Sequence, residues 1–217
     1  MKKSKIWIGT ILSIILLSPF HKKNHFYKNI KIINNPEDLD ILVNKNNKLD
    51  SNYVPNDLEL LDVKYAYANK YLRKEAKEMF EKLSEDAKKE GYRIIATSTY
   101  RDYNYQNDLY NHYVKEKGKK YADMCSARAG HSEHQTGLAV DVAGSNDSYD
   151  DFEETKEFNW MKENAHKYGF ILRYPKGKEH ITGFKYEPWH YRYIGVKVAT
   201  IIYEKNITLE EYKNDRT

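Results

Sequence analysis

This sequence has little cysteine and a low mean hydropathy, and both deficits narrow what it can be. Cys125 is its one cysteine, so no intramolecular disulfide can form and stability must come from a packed core or a bound metal. A mean hydropathy of -0.87 excludes a protein that crosses the membrane many times. What is present, 40% hydrophobic and 14% aromatic residues in a chain of 217, fits one folded domain of ordinary size.

The sequence also lacks a cluster of basic residues outside its N-terminal stretch. The formal net charge is +4, but Lys2, Lys3, Lys5, Lys22 and Lys23 lie in a stretch without acidic residues. Without those five, the 36 basic residues fall to 31, against 32 acidic ones. The remaining lysines and glutamates are interspersed, whereas a nucleic-acid binder needs a basic face that follows the phosphates. We therefore expect no nucleic-acid partner.

The N-terminus carries the pattern of an export signal. A lysine-rich start precedes an apolar run over residues 6–20, and Lys22 and Lys23 follow it. The run is long for a signal peptide and short for a membrane-spanning helix, and no A-x-A cleavage site follows, so a cleaved signal and an uncleaved anchor both remain open. We predict a signal or anchor over residues 1–23, a tether over 24–41, and a domain over 42–217 that is extracytoplasmic, either membrane-anchored or secreted.

Hydrophobic periodicity predicts a mixed α+β domain. Apolar residues at helical spacing predict helices, and β-branched or alternating segments predict strands. The predicted helices cover residues 71–89, 103–117, 152–168, 196–204 and a short segment after a capping box at 208–211, and the predicted strands cover 92–98, 138–143, 170–175 and 184–186. A long loop is predicted over 119–133. The expected architecture is helices packed on a small antiparallel sheet.

Two histidines and an aspartate carry the pattern of a catalytic zinc site. In H-S-E-H-Q-T-G-L-A-V-D, His134 lies in a predicted loop and Asp141 on the polar side of a predicted strand. That pair alone also fits a simple hydrogen bond, so a third ligand is required. The segment F-K-Y-E-P-W-H offers His190 as this ligand and Glu187 as a carboxylate near the same centre. Such a set leaves one zinc coordination position open for water, with Glu187 as its base, in a single zinc-centred cleft.

Arg101 is the other candidate catalytic residue. It ends a predicted strand in S-T-Y-R-D-Y-N-Y-Q, where side chains commonly form one wall of a cleft. Its planar guanidinium suits the carboxylate terminus of a peptide or the oxyanion that forms during attack on a carbonyl. Taken alone, an arginine in a tyrosine-rich turn is more often a surface residue. The metal pattern elsewhere in the sequence favours the catalytic role.

Four segments together resemble the VanY-type zinc D-alanyl-D-alanine carboxypeptidases, which are peptidoglycan peptidases. They are S-E-H-Q-T-G-L-A-V-D, E-P-W-H-Y-R-Y-I-G, S-T-Y-R-D-Y-N-Y-Q and G-F-I-L-R-Y-P, within a match over residues 42–203. The resemblance implies a zinc peptidase that removes the terminal D-alanine from peptidoglycan stem peptides or lipid-linked precursors. It also implies that His134, Asp141 and His190 bind zinc, that Glu187 is the catalytic base and that Arg101 contacts the scissile carbonyl or its oxyanion.

The resemblance extends to the substrate contacts. It implies that Ser132 and Gln106 hold the substrate backbone or its terminal carboxylate. Tyr174 and His180 lie in R-Y-P-K-G-K-E-H, which either covers the cleft and touches substrate or forms a plain surface hairpin. Cys125 lies in M-C-S-A-R, which supplies neither a base nor a helix N-terminus to activate a thiol, so we expect no catalytic role for it.

Two classes of function remain open at the level of sequence. The first is a hydrolase, either a D,D-carboxypeptidase or, because the motifs do not separate them, an L,D-carboxypeptidase or an endopeptidase on stem peptides. The second is a non-catalytic, zinc-stabilised module that binds the cell wall. Glu187 favours the hydrolase, since a pure binder needs no carboxylate beside an open metal position. N-terminal membrane association is expected, and no protein partner is indicated.

Overall fold

The computed structural model of the chain describes residues 26–145, 148 and 151–215. The predicted signal or anchor, residues 1–23, lies outside the described residues. The predicted tether, residues 24–41, is described from residue 26 onward. Among the described residues, none of the helices combines the length and apolarity needed to cross a membrane. The strands are β1 Lys31–Ile32, β2 Asn47–Lys48, β3 Leu58–Leu60, β4 Tyr71–Arg73, β5 Ile95–Ser98, β6 Ala139–Ala143, β7 Phe170–Leu172 and β8 His190–Tyr193, and the α-helices are α1 Lys74–Lys89, α2 Tyr103–Lys117, α3 Lys119–Cys125, α4 Lys156–Asn164, α5 Glu179–Thr182, α6 Val196–Lys205 and α7 Leu209–Asn214.

A four-stranded antiparallel sheet in the order β5-β6-β8-β7 forms the centre of the domain. Alternate residues of β6 and β8, such as Val140 and Tyr191, join a buried apolar cluster that also contains Phe80 of α1 and Met161 of α4. The opposite face of the same strands carries Asp141, His190 and Arg192, because side chains alternate between the two faces of a strand. The predicted α+β class, with helices on a small antiparallel sheet, is confirmed.

The first predicted helix starts later than its periodicity suggested. Residues 71–73 form β4, which pairs with β3 in an antiparallel hairpin, and α1 begins only at Lys74. The amide of Tyr71 donates to the Thr99 hydroxyl and that of Arg73 to the Gly137 carbonyl. These partners lie far away in sequence, so tertiary hydrogen bonds override the local helical pattern.

Three other predicted elements differ from the structure. The predicted loop over 119–133 contains α3, and the predicted strand over 184–186 is not formed. The predicted helix over 152–168 is divided into two 3₁₀ turns and α4, because Thr155 takes an extended conformation and its hydroxyl caps α4 by accepting from the Phe158 amide. The helix over 103–117 and the capping box of Thr208 and Glu211 are confirmed.

The described part of the predicted tether, residues 26–41, packs on the domain. The amides of Lys31 and Ile33 donate to the carbonyls of Asn46 and Lys48, which forms the short parallel pair of β1 and β2. Ile33 packs against a small buried cluster of Ile41, Val43 and Leu49. These contacts bind the segment to the domain at Lys31, Ile33 and Ile41, although many of its other residues are exposed, and its Asn- and Lys-rich composition gave no signal of the backbone pairing.

Gly169 ends the 3₁₀ turn before β7 at a position that no other residue fits. Its φ is +82°, and a Cβ there would lie 2.6 Å from Cε2 of Tyr193 and 3.1 Å from the backbone of Gly195. Gly177 has a similar φ of +85° with nothing within 4 Å of the same virtual Cβ. An alanine at either position would therefore strain the backbone, but only an alanine at position 169 would also clash with its neighbours.

We predict that Gly169→Ala destabilises the domain more than Gly177→Ala does. The left-handed conformation costs an alanine about 1–2 kcal/mol, and overpacking adds about 1–3 kcal/mol at Gly169 alone. Urea unfolding at 25 °C measures both variants against the wild type. Equal losses of stability would show that Tyr193 moves aside and that the close approach is not a constraint.

Candidate active site

The pairing of β6 with β8 brings the predicted metal ligands together. Asp141 and His190 are direct cross-strand partners in the antiparallel register, so both side chains leave the same face of the sheet. His134 lies in the 3₁₀ turn Glu133–Thr136 that precedes β6. One ligand atom from each of the three residues lies within 4.8 Å of the others, and all three residues are buried. The structure thus gathers the three residues that the sequence singled out.

The environment of His134 fits a cation. Its Nδ1 lies 2.6 Å from the Thr99 carbonyl oxygen, which accepts the ring proton and leaves Nε2 with a free lone pair. Burial and the positive charge of Arg101 lower the pKa of His134 to about 4, so the ring is neutral at pH 7. Nε2 is buried without a hydrogen bond, 3.3 Å from a carboxylate oxygen of Asp141. Two lone pairs that face each other at this distance are matched by a metal ion between them.

Asp141 and His190 complete this donor set. Nδ1 of His190 lies 2.8 Å from Oδ1 of Asp141, and its Nε2 lies 3.4 Å from Oε2 of Glu133. Burial opposes the charge on both groups. Contacts with His134 and His190 nevertheless hold the pKa of Asp141 well below its usual value, and hydrogen bonds with Asp141 and Glu133 raise the pKa of His190 to about 9. A carboxylate and two imidazoles are the ligands that zinc prefers in sites with three protein donors.

Glu187 lies in the wall of the same cleft, in the turn before β8. Its amide donates to the Tyr174 carbonyl, and its carbonyl accepts from the His190 amide at 3.3 Å, so the turn is tied to a ligand. Burial raises the pKa of the Glu187 carboxyl to about 7. A carboxyl group with a pKa near 7 can both accept and return a proton at neutral pH.

The remaining predicted residues line a cleft of about 460 Å³, with one exception. Ser132 caps the turn that carries His134, Gln106 is buried on α2 and Arg101 lies between β5 and α2. Tyr174 is buried beneath the site, with its ring centroid 4.8 Å from that of His190. His180 is exposed on α5 and is not among the residues that line the cleft, so the structure favours the surface alternative for this residue.

Besides Nε2 of His134, two polar atoms in the cleft wall have no hydrogen-bond partner among the described residues. Nε of Arg101 and Oε1 of Gln106 are both buried without a hydrogen bond. The amide nitrogen of Gln106 is already used, because it donates to the Ser126 hydroxyl and the Ala127 carbonyl. One free donor and one free acceptor therefore remain for a bound molecule.

Cys125 also lines the cleft, at the end of α3. Burial raises the pKa of its thiol, so the thiolate is disfavoured at neutral pH.

A group of buried ionic residues that the motifs did not predict lies beside the metal ligands: Glu133, Arg173, Arg192 and Glu210. Each lies beside a residue or segment that the motifs had singled out. The available signal was charge at positions flanked by apolar strand residues, as in F-I-L-R and H-Y-R-Y, since a charge there must be paired when buried.

Comparison with known proteins agrees with this geometry. Residues 69–196 match the family model described as VanY, D-alanyl-D-alanine carboxypeptidase. A putative carboxypeptidase, YodJ of Bacillus subtilis (strain 168), is 42% identical over 208 residues, which cover 90% of this chain and 76% of the relative. The chain therefore belongs to the VanY family of D-alanyl-D-alanine carboxypeptidases and is a zinc-dependent carboxypeptidase.

Two solved structures share the fold. The LdcB LD-carboxypeptidase superposes with a TM-score of 0.81 at 43% identity, covering 85% of this chain and 90% of that one. The vancomycin-resistance D,D-pentapeptidase VanY from a VanB-type cassette, solved in complex with Zn(II), gives a TM-score of 0.70 at 34% identity, covering 80% and 98%. The first structure is named for an LD-carboxypeptidase and the second for a D,D-pentapeptidase. The shared fold therefore does not distinguish LD from D,D specificity.

We predict that zinc stabilises the wild-type protein and that His134→Ala removes this effect. A metal that binds only the folded state stabilises it by about 2.7 kcal/mol at 100 times its dissociation constant. Thermal melting of metal-free protein, with and without added zinc, measures the shift. His180→Ala removes an exposed histidine outside the cleft and should keep the full shift. A full shift in His134→Ala would contradict the ligand set.

Proposed function

We propose that His134, Asp141 and His190 hold zinc and that the cleft hydrolyses the last peptide bond of peptidoglycan stem peptides, releasing D-alanine. The observation that carries this proposal is the lone pair of neutral His134 facing Asp141, beside a Glu187 carboxyl whose pKa is about 7. The family description, D-alanyl-D-alanine carboxypeptidase, supplies the substrate class.

The proposed mechanism gives each residue of the cleft one task. Zinc, when bound, supplies Lewis acidity at the scissile carbonyl and lowers the pKa of water. Glu187 accepts the proton of the attacking water at its carboxylate and returns it to the nitrogen of the departing alanine. The guanidinium of Arg101 stabilises negative charge on the carbonyl oxygen or on the terminal carboxylate. The pKa of Glu187, near 7, suits both of its proton transfers.

The unpartnered atoms in the cleft wall support the proposed substrate contacts. Oε1 of Gln106 can only accept, so it fits a backbone N–H of the substrate. Nε of Arg101 can only donate, so it fits a carboxylate or carbonyl oxygen. Ser132 offers its hydroxyl beside His134, while Tyr174, buried against His190, shapes the floor of the cleft. Gln106 and Arg101 would then gain the hydrogen bonds that these two buried atoms otherwise lack.

Removal of D-alanine from a D,D-linked pentapeptide is the specificity we propose. The likeness to LdcB, with 43% identity, makes an L,D-carboxypeptidase the second candidate. An endopeptidase on stem peptides would need space for substrate beyond the scissile bond. A non-catalytic module that binds the cell wall would not require the raised pKa of Glu187. We further propose an extracytoplasmic enzyme, anchored or secreted, on the basis of the lysine-flanked apolar run at residues 6–20. Stem peptides and lipid-linked precursors are both accessible there.

We predict that Glu187→Gln lowers kcat by about 10²–10⁴-fold while zinc binding persists, because only the proton acceptor is lost. Release of alanine from a stem peptide, together with the zinc content of the purified variant, measures both effects. Glu179→Gln alters an exposed glutamate on α5 and should turn over at the wild-type rate. Undiminished release of alanine by Glu187→Gln would remove Glu187 from the mechanism.

The specificity is tested with two synthetic substrates. We predict that zinc-loaded protein removes one alanine from a stem pentapeptide ending in D-Ala-D-Ala, and leaves the tetrapeptide, in which D-alanine follows an L-configured centre, largely intact. Mass spectrometry of timed samples measures each loss, with the Glu187→Gln protein as the blank. Faster loss from the tetrapeptide would instead establish the L,D class.

A further inference from the structure

A buried ionic cluster lies directly behind the metal ligands. Oε1 of Glu133 accepts from Nε of Arg173 at 2.7 Å and from Nη1 of Arg192 at 2.9 Å. The outer edge of the Arg173 guanidinium donates two further hydrogen bonds, of 2.9 and 2.7 Å, to the carboxylate of Glu210. Glu133 and both arginines are at most 1% exposed, and Glu210 is 7% exposed. Two carboxylates thus balance two guanidinium groups within the protein interior.

The second carboxylate oxygen of Glu133 faces a metal ligand. Its Oε2 lies 3.4 Å from Nε2 of His190, on the side of the ring opposite to the Nδ1 atom that meets Asp141. The imidazole therefore lies between two carboxylates, one in the metal site and one in the ionic cluster. The ring of Tyr174 lies against the same imidazole, with the two centroids 4.8 Å apart and the planes inclined by 32°.

We propose that Glu133 is a positioning residue for zinc binding, which fixes the ring orientation and tautomer of His190 by accepting its Nε2–H. This inference rests on the proposed role of His190 as a ligand. With the proton held at Nε2, the lone pair of Nδ1 is directed at the metal. Arg173 and Arg192 fix the carboxylate of Glu133 by donating hydrogen bonds to it. Arg173 also donates to Glu210, which connects this cluster to α7.

A carboxylate is needed at this position because it must accept on both sides. Oε1 receives two guanidinium donors and Oε2 receives the imidazole N–H. A glutamine of the same shape has one accepting oxygen and one donating NH₂ group. It would place a donor against either the imidazole or the arginines. The ring of His190 would then lose its fixed orientation even though the fold is kept.

Glu133→Gln and Glu210→Gln form a matched pair for the test. Both remove one negative charge from the same buried cluster, but only Glu133 touches His190. Zinc affinity of the full-length chain is measured by competition with a chromophoric chelator, and the Co(II)-substituted proteins give the visible bands that report ligand geometry. Circular dichroism of each metal-free variant confirms the fold, and His190→Ala provides the reference for loss of the ligand.

We expect Glu133→Gln to bind zinc about 10–100-fold more weakly with altered Co(II) bands, and Glu210→Gln to stay within about threefold of the wild type. Equal weakening in both variants would assign the effect to the charge of the cluster and overturn the positioning role, as would wild-type affinity and bands in Glu133→Gln. If that variant does not fold, Glu133→Asp, which keeps the charge and shortens the reach to His190, must show the same loss. Unchanged zinc affinity in His190→Ala would refute the ligand assignment instead.

Discussion

The site depends on one cross-strand pair, Asp141 of β6 opposite His190 of β8. Side chains alternate along a strand, so a slip of one residue would turn Asp141 and His190 to opposite faces of the sheet. Val140 and Tyr191, the adjacent residue pair, are fully buried on the apolar face and oppose such a slip. The hydrophobic core thereby sets the register, and the register sets the distance between two metal ligands.

The second constraint is the burial of charge behind this pair. Arg173 and Arg192 are almost fully buried, and removing one partner from such a pair costs about 3–5 kcal/mol because the other charge stays unpaired. Glu133 serves both arginines and reaches His190 as well. The stability of the ionic cluster and the orientation of a ligand are therefore linked through one carboxylate, which lies next to His134 in the sequence.

The sequence predicted most residues of the site, but fewer of the elements and buried charges that position them. The three ligands, Glu187 and Arg101 lie in short motifs with recognisable chemistry, and the structure brings all of them to one cleft. Strand β4 and the division of the helix over 152–168 escaped prediction, because long-range hydrogen bonds and a single extended residue, Thr155, decide them. Glu210 escaped for a similar reason, since 77 residues separate it from Glu133 and only the folded chain joins them through Arg173.

The central claim is that zinc binds three protein ligands and keeps a position open for chemistry. Diffraction data collected on either side of the zinc absorption edge from crystals of the zinc-loaded protein test it most directly. We predict one anomalous peak about 2.0–2.2 Å from Nε2 of His134, a carboxylate oxygen of Asp141 and Nδ1 of His190, with solvent as the next ligand. A peak elsewhere, or a fourth protein ligand that closes the site, would contradict it.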